Sequence, residues 1–205
     1  MSGMLTAAAA QVNSKGTFQV ALGLTGGAHA TEFTYSFRLA GIPLSGTNTD
    51  AAATVAYPIE VQGGISDRFS LGITLEPGRY IDSAGTRPNG FFVASLSPRF
   101  YAVNGEHFAL HLNADVGVGV LRIGEVNSGM RIYDDTYAGG HFRLGVQAQY
   151  FFGRVIGVHL GMKYAAHTLR WRDREPEDPL LTNTDYTATL RTSGLLFQLG
   201  LQARF

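Results

Sequence analysis

Three absences narrow what this chain can be: it has no cysteine, little charge and no long hydrophobic run. Without cysteine it has neither a disulfide framework nor a thiolate metal site. No apolar stretch approaches the roughly 18 residues of a membrane-spanning helix. The 16 basic and 16 acidic residues cancel, whereas a nucleic-acid-binding surface needs a basic excess. We therefore expect no inner-membrane helix and no nucleic-acid partner.

What the chain does have is an alternation of apolar and polar residues, from about residue 17 to its end. This period of two is typical of β-strands with two different faces, and no segment of comparable length has helical spacing. Three long segments carry the apolar sets Phe108, Leu110, Leu112, Ala114, Val116, Val118 and Val120; Phe142, Leu144, Val146, Ala148, Tyr150 and Phe152; and Ile156, Val158, Leu160, Met162 and Tyr164. The sequence therefore predicts an all-β protein.

The links between the alternating segments differ regularly in length. Tight links lie at 66–68, 104–106 and 153–154, and long polar links lie near 40–52, 78–89, 124–138 and 172–188. Short and long links alternate in an up-and-down antiparallel β-barrel whose two ends face different surroundings. Eight strands result if the first strand covers about 17–26 and the first long link runs to about 52.

Residues 32–40 also alternate, which leaves the start of the barrel open. They could continue the first hairpin beyond a membrane or belong to one long first strand. Alternatively they form the first barrel strand, and residues 1–28 are then a periplasmic or plugging segment. The opening "MSGMLTAAAAQ" is rich in small residues, so we expect residues 1–16 to be a flexible N-terminal segment or leader remnant and residues 17–205 to be the barrel domain.

The composition of the two strand faces favours a barrel in a membrane. The polar faces are rich in Gly, Ala, Ser and Gln, which suits a narrow barrel interior. Three predicted strands, 107–123, 138–153 and 154–171, also exceed the ~9–11 residues that cross a bilayer. Aromatic residues of the apolar face cluster beside the tight links, as in the aromatic girdle of transmembrane barrels; they are Phe69, Phe100, Phe108, Phe152 and Phe205. The rival interpretation is a soluble lipocalin-like barrel, in which the apolar faces would point inward.

With its terminal "LLFQLGLQARF", its rhythm of links and its polar interior, the chain resembles the small outer-membrane barrels of Gram-negative bacteria, of the OmpA/OmpX kind. The resemblance covers most of residues 17–205. It implies a place in the bacterial outer membrane, with the long loops extracellular and the short turns and C-terminus periplasmic. It also implies that Phe205, Leu201 and Leu199, with Ala203 as a weak member, are the signal read by the barrel-assembly machinery.

Several ionisable residues share the inward, polar face of the predicted strands. An upper set contains Glu76, Asp115, Arg143 and Lys163, and a lower set contains Glu60 and Arg99 with His111 and His159. An unpaired charge in a narrow interior costs several kcal/mol, so we expect these residues to pair and plug the lumen, with Asp115 near Arg143 or Lys163. The alternative is a gated path for protons or ions.

The sequence offers no clear metal, cofactor or catalytic site. The inward histidines His111, His141, His159 and His167 differ in height along the barrel, whereas a metal needs three convergent ligands. Some barrels of this kind modify lipid A, but His167 has inward parity and no nucleophile lies within reach of it in the sequence pattern. We therefore expect no metal, no cofactor and no enzymatic activity.

The long links remain as the candidate functional surface. Arg170, Arg172 and Arg174 are expected to contact the phosphates of lipopolysaccharide, because arginine binds phosphate bidentately. The function expected from the sequence is a structural, adhesive or surface-binding role, with outer-membrane lipids and a surface ligand or partner protein in contact with the loops. The alternatives are a narrow channel or carrier for a small solute and, less favoured, a lipid A-modifying enzyme.

Overall fold

A computed structural model describes residues 11–39, 42–83, 89–123, 135–172 and 187–205. These residues form ten β-strands: β1 Phe18–Leu39, β2 Ile42–Ala56, β3 Ile59–Ser66, β4 Phe69–Asp82, β5 Asn89–Leu96, β6 Arg99–Asn104, β7 Phe108–Ile123, β8 Asp135–Phe151, β9 Ile156–Trp171 and β10 Thr187–Arg204. In these parts of the chain no helix has the length and hydrophobicity needed to cross a bilayer.

The strands form one antiparallel sheet that closes on itself. Strands adjacent in the wall pair in an antiparallel arrangement, and β10 pairs with β1 from Gln19↔Arg204 to Ser36↔Thr187. The ring has eight strands, because β2 with β3, and β5 with β6, each make one wall strand. The predicted eight-stranded up-and-down barrel is confirmed.

Two prolines account for the interrupted wall strands. Pro58 lies between β2 and β3, and Pro98 lies between β5 and β6. Proline has no N–H to give to the ladder of a sheet. Their carbonyl oxygens still accept hydrogen bonds from neighbouring strands, from Gly23 N at 2.9 Å and Ala114 N at 3.1 Å respectively, so the wall remains continuous.

The first hairpin differs from the sequence prediction. Strand β1 is 22 residues long, so residues 32–39 belong to one long first strand. The predicted long link at 40–52 is wrong, because β2 begins at Ile42 and pairs with β1 out to Leu39. Most side chains of 42–51 are exposed. Because both faces of this part of the hairpin contact solvent, its residues do not alternate between apolar and polar.

The other predicted long links are also too wide at their edges. Strand β4 continues to Asp82, β8 begins at Asp135 and β10 begins at Thr187. We call the end of the barrel that carries these links the long-link end. The opposite end, with the turns at 66–69, 104–108 and 151–156, is the short-turn end.

The apolar faces of the strands point outward. Leu160 and Leu199 are 65% and 57% exposed, whereas His111 and Asp115, on the alternate face, are buried inside the barrel. Leu110 and Val146 share the outward parity. A soluble barrel with these residues in its core is therefore excluded, and the outer surface is the apolar band expected where strands face lipid.

An aromatic belt surrounds the short-turn end. All the aromatic residues predicted for it are exposed on the outside, namely Phe69, Phe100, Phe108, Phe152 and Phe205. Phe69 and Phe100 are register partners on β4 and β6. The belt includes the closing seam of the barrel, where Phe18 and Phe205 exchange two backbone hydrogen bonds of 3.0 and 2.8 Å.

Candidate functional site

The centre of the barrel is occupied by charged side chains from six strands. Each lies at an inward position of its strand and is at most 2% exposed: Glu60 on β3, Glu76 on β4, Arg99 on β6, Asp115 on β7, Arg143 on β8 and Lys163 on β9. We call these six residues the lumen charge network. Three are acidic and three are basic, so their formal charges cancel.

Arg143 and Glu76 form an ion pair across the lumen. Arg143 Nη1 donates to Glu76 Oε2 at 2.5 Å, and Arg143 Nη2 donates to Glu76 Oε1 at 3.0 Å. Their strands, β8 and β4, are separated in the wall by β7 and the β5–β6 strand. This two-pronged arrangement is the strongest form of carboxylate recognition by arginine, and it places a fixed ion pair across the barrel.

The remaining four charges form a second, branched group. Lys163 Nζ donates to Asp115 Oδ2 at 3.0 Å and lies 3.8 Å from Glu60 Oε1. Glu60 also accepts hydrogen bonds from Arg99 and from Gln198 Nε2, the latter at 2.8 Å. Glu60 therefore joins three side chains into one group.

Asp115 lies beside two basic residues, Lys163 and Arg143. Asp115 is bonded to Lys163, and Arg143 is its register partner on the adjacent strand β8. Burying ions in a narrow interior is costly unless each is paired and hydrogen-bonded. The arrangement can therefore act as a fixed polar barrier, since a solute passing through the centre would have to separate these pairs.

A layer of histidines lies between the charge network and the long-link end. The rings of His141 and His167 stack with centroids 5.3 Å apart, and His29 meets His167 at 6.4 Å. Sequence reasoning missed His29, although its parity with Thr25 and Thr31 on β1 marks it as inward. Among the described residues, no group of three or more potential ligands has the geometry to hold a metal ion.

The other two inward histidines lie lower in the barrel. The ring of His111 lies 5.1 Å from that of Tyr101, and His159 Nε2 lies 3.3 Å from Gln198 Nε2. His159 is thereby linked to Glu60 through Gln198, while His111 is fully buried beside the lower charges. All four predicted histidines lie inside the barrel but at two separate levels.

Above the histidines the inward face becomes apolar, which sequence reasoning also missed. The buried side chains of this apolar cup are Ala52, Tyr80, Phe91, Val93, Leu121, Tyr137, Leu169, Ala188 and Leu190, with Phe33, Tyr35, Ile123 and Trp171 packed against them. The available signal was the loss of alternation near the strand ends, as in "FFV" at 91–93. The lumen thus has a charged middle and an apolar long-link half.

Residues 11–16 close the short-turn end from inside. Val12 is fully buried against Tyr101, Ala109 and Phe151. Val12 N donates to Gly105 O at 2.8 Å, and the amide of the Asn13 side chain donates to Ser66 O at 2.6 Å. This part of the chain is therefore packed, in contrast to the flexible segment expected for 1–16; residues 1–10 lie outside the described residues.

The remaining predicted sites lie on the outside of the barrel. Phe205, Leu201 and Leu199 are exposed on the outer face of β10 at the short-turn end. Arg170 and Arg172 are exposed at the long-link end of β9, where Arg172 N donates to Thr136 O at 2.9 Å. Arg174 lies outside the described residues. The structure thus separates these two groups onto opposite ends of the molecule.

No protein-family model and no curated protein sequence matches the chain. Solved structures do match. The solid-state NMR structure of the outer membrane protein AlkL in lipid bilayers is similar with a TM-score of 0.60 and 13% identity, over 100% of this chain and 97% of that one. OprG from Pseudomonas aeruginosa is similar with a TM-score of 0.56 and 11% identity, over 94% and 97%. The chain has the fold of a small outer-membrane β-barrel.

This fold agrees with the resemblance to the OmpA/OmpX kind of barrel. The structural neighbours are bacterial outer-membrane proteins, which supports the same location for this chain. Proteins of this fold include structural, adhesive, channel and protease types. OmpT, a protease from Escherichia coli, has a TM-score of 0.46 and 11% identity over 92% of this chain and 97% of that one, a likeness too distant to support an argument about chemistry.

Proposed function

We propose that this protein is an integral outer-membrane barrel that does not conduct through its centre and has a structural, adhesive or surface-binding role at its long-link end. The observation that carries the proposal is the lumen charge network, in which every charge is buried and paired. Residues 11–16 add a second closure at the short-turn end. Two closures in series leave the outer surface and the long-link end as the places where the barrel meets other molecules.

The experiment that tests the closed lumen is recording from planar bilayers. Purified protein in symmetric potassium chloride is expected to give no long-lived conductance steps, because ions would have to break the pair Glu76–Arg143 and the group around Glu60. A known open porin in the same bilayers serves as the control. Large, steady single-channel currents would contradict the proposal.

The proposal includes an orientation, with the long links outside the cell and the short turns in the periplasm. Since the chain has no cysteine, single thiols can report it. Thr49→Cys on the β1–β2 hairpin is expected to react with a membrane-impermeant reagent on intact cells. Asp67→Cys in a short turn is expected to react only after the outer membrane is permeabilised. The reverse pattern would overturn the orientation.

The partners proposed for this protein contact it on the outside of the barrel. Arg170 and Arg172, together with Arg174, are proposed to contact lipopolysaccharide phosphates, and Phe205 with its apolar neighbours on β10 is proposed to be recognised by the barrel-assembly machinery. A surface ligand or partner protein at the long links remains part of the proposal. No nucleic acid and no cofactor are proposed.

We propose no catalytic role. His167, the residue considered for lipid A chemistry, is buried in the lumen and stacked on His141, so it does not reach lipid on the outside. Mass spectrometry of lipid A from cells that express the protein tests this. An unchanged acylation and phosphorylation pattern is expected, and a new lipid A species that depends on the protein would contradict it.

A second candidate function is a carrier for a small solute, and the apolar cup favours it. Its aromatic and aliphatic side chains are of the kind that contact an apolar molecule, which would enter from the long-link end and displace part of this packing above the histidine layer. Tracer flux into proteoliposomes tests this candidate. Uptake of a small apolar tracer faster than into protein-free vesicles would support it, and equal rates would remove it.

A further inference from the structure

Two arginines lie side by side on the outside of the barrel near the long-link end. Arg79 on β4 and Arg122 on β7 are both register partners of Gly90 on β5, one on each side. Both side chains are exposed on the outer face, and neither forms an ion pair with a described residue. Because Gly90 has no side chain, the strand between the two arginines places no side chain between them.

Beneath these arginines a groove runs along the lipid-facing wall. It has a volume of about 560 Å³, and its outward lining includes Tyr57, Pro77, Phe92 and Val120 below Arg79 and Arg122. Gly90 has outward parity on β5 and leaves the wall bare between Arg79 and Arg122. A Cβ at Gly90 would lie 3.9 Å from the nearest atom, so a side chain fits there without disturbing the wall.

The row of positive charge continues to the next strands. Arg122 is the register partner of Thr136, whose carbonyl oxygen accepts a hydrogen bond from Arg172 N. Arg79, Arg122 and Arg172 therefore follow one line around the barrel. Neighbouring strands lie 4.7–4.9 Å apart, so successive arginines start about 10 Å from each other.

We propose that this groove binds the lipid A part of lipopolysaccharide, with a phosphate held by Arg79 and Arg122 and an acyl chain lying along the groove. The choice of lipid rests on the proposed orientation, in which the long-link end lies in the outer leaflet. The reason is charge complementarity. Two guanidinium groups that pair with no acidic residue in the described part of the chain stand above an apolar, aromatic groove, which matches a phosphorylated head above hydrocarbon. Arginine binds phosphate through two parallel hydrogen bonds, and a site at the membrane interface is only partly screened by water.

The site differs from the one expected from the sequence. That expectation placed the phosphate contacts on Arg170, Arg172 and Arg174, all in one link. The register of the sheet instead brings together two arginines that are 43 positions apart in the chain, 79 and 122, and only Arg172 is common to both arrangements.

The test measures binding of fluorescent lipid A to the purified barrel in phosphatidylcholine nanodiscs. The double variant Arg79→Gln/Arg122→Gln is expected to lower the affinity about tenfold, which corresponds to about 1.4 kcal/mol. Gly90→Leu retains both arginines and fills the groove, and it is expected to lower the affinity as well. The matched control is Arg68→Gln/Arg154→Gln, the same change in charge at the short-turn end, which is expected to bind as the unmodified protein does.

Four outcomes would overturn the proposal: unchanged binding by the Arg79/Arg122 variant, an equal loss in the Arg68/Arg154 control, equal binding of lipid A without phosphates, or equal competition by phosphatidylglycerol. Heat-modifiable migration on gels verifies that each variant is folded. The measurement is independent of which way the barrel faces in a cell and of whether its lumen conducts. A negative result would therefore leave the proposed function standing, and the conductance experiment could fail without affecting this one. A reversed labelling pattern would place the groove in the inner leaflet and remove lipid A as its ligand in the cell.

Discussion

At the scale of single residues, the pair Arg143–Glu76 should contribute most visibly to stability. Arg143→Met leaves the Glu76 carboxylate buried without its partner, and breaking a buried pair in this way costs about 3–5 kcal/mol. We expect the free energy of unfolding in urea, measured in lipid vesicles, to fall by that amount. The double variant Glu76→Gln/Arg143→Met removes both charges and is expected to recover a large part of the loss.

The matched control is the exposed pair Glu32–Arg191. Its closest atoms are 3.8 Å apart, and both side chains are well exposed to solvent. Pairs of this kind contribute about 0–1 kcal/mol, so Arg191→Met should change the free energy of unfolding by less than Arg143→Met does. Equal losses in the two variants would show that the buried network is not a special source of stability.

The sequence predicts where these charges point but only part of their pairing. Parity along the strand is enough to place Glu76 and Arg143 on the inner face, because side chains alternate strictly in a β-strand. Their partners depend on how far the strands are sheared around the closed barrel, which is a property of the whole ring. For that reason the contact between Arg143 on β8 and Glu76 on β4 could not be derived from spacing.

At the scale of elements, the segment 11–16 behaves as a fixed part of the short-turn end. A thiol at the buried position, Val12→Cys, is expected to react slowly with a water-soluble maleimide, because Val12 lies between Tyr101 and Phe151. Adding Asn104→Ala removes three hydrogen bonds between the Asn104 side chain and this segment. Asn104 Nδ2 donates to Asn13 O at 2.7 Å and to Gln11 Oε1 at 3.1 Å, and Asn104 Oδ1 accepts from Asn13 N at 3.0 Å. Loss of each such bond costs about 1 kcal/mol, so the labelling rate should rise at least several-fold.

The control for this experiment is Lys15→Cys in the same segment. Lys15 is exposed, so its thiol should react quickly with or without Asn104. If the thiols at positions 12 and 15 react at the same fast rate, the segment is not held inside the barrel. Such a result would remove the second closure but leave the charge network untouched.

Two elements, residues 11–16 and 42–51, could not be predicted from the sequence because their structure depends on distant parts of the chain. The packing of 11–16 depends on Asn104 and Ser66, which lie in turns far along the chain, and a single polar segment carries no sign of such partners. The hairpin arm at 42–51 contains Ser, Gly, Thr, Asn and Asp, which are typical of loops. It forms a strand because it pairs with β1, and tertiary pairing overrides the weak local preference.

At the scale of the whole molecule, the fold follows from two features of the sequence, the period of two and the alternation of link lengths. Closure of the sheet then follows from the bilayer, since a lipid-exposed sheet edge would leave backbone groups without partners. The apolar cup did not follow, because Leu121 and Leu169 interrupt an otherwise polar inner face. Inside a barrel such residues are distinguished from lipid-facing ones only by parity, which is hardest to assign near strand ends.

Phe205 is proposed to act while the barrel is inserted into its membrane. If Phe205 serves mainly as an assembly signal, Phe205→Ser should lower the amount of folded protein in the outer membrane several-fold and leave refolding into detergent micelles almost unchanged. Phe152→Ser is the matched control, because Phe152 is equally exposed on the outer face at the same end, at 68% compared with 71% for Phe205. Both changes remove one aromatic ring from the interfacial belt, so they should have similar effects on refolding. Equal losses of both variants in cells would mean that the ring of Phe205 acts only as an anchor. A selective loss for position 205 would separate recognition during assembly from stability in the bilayer.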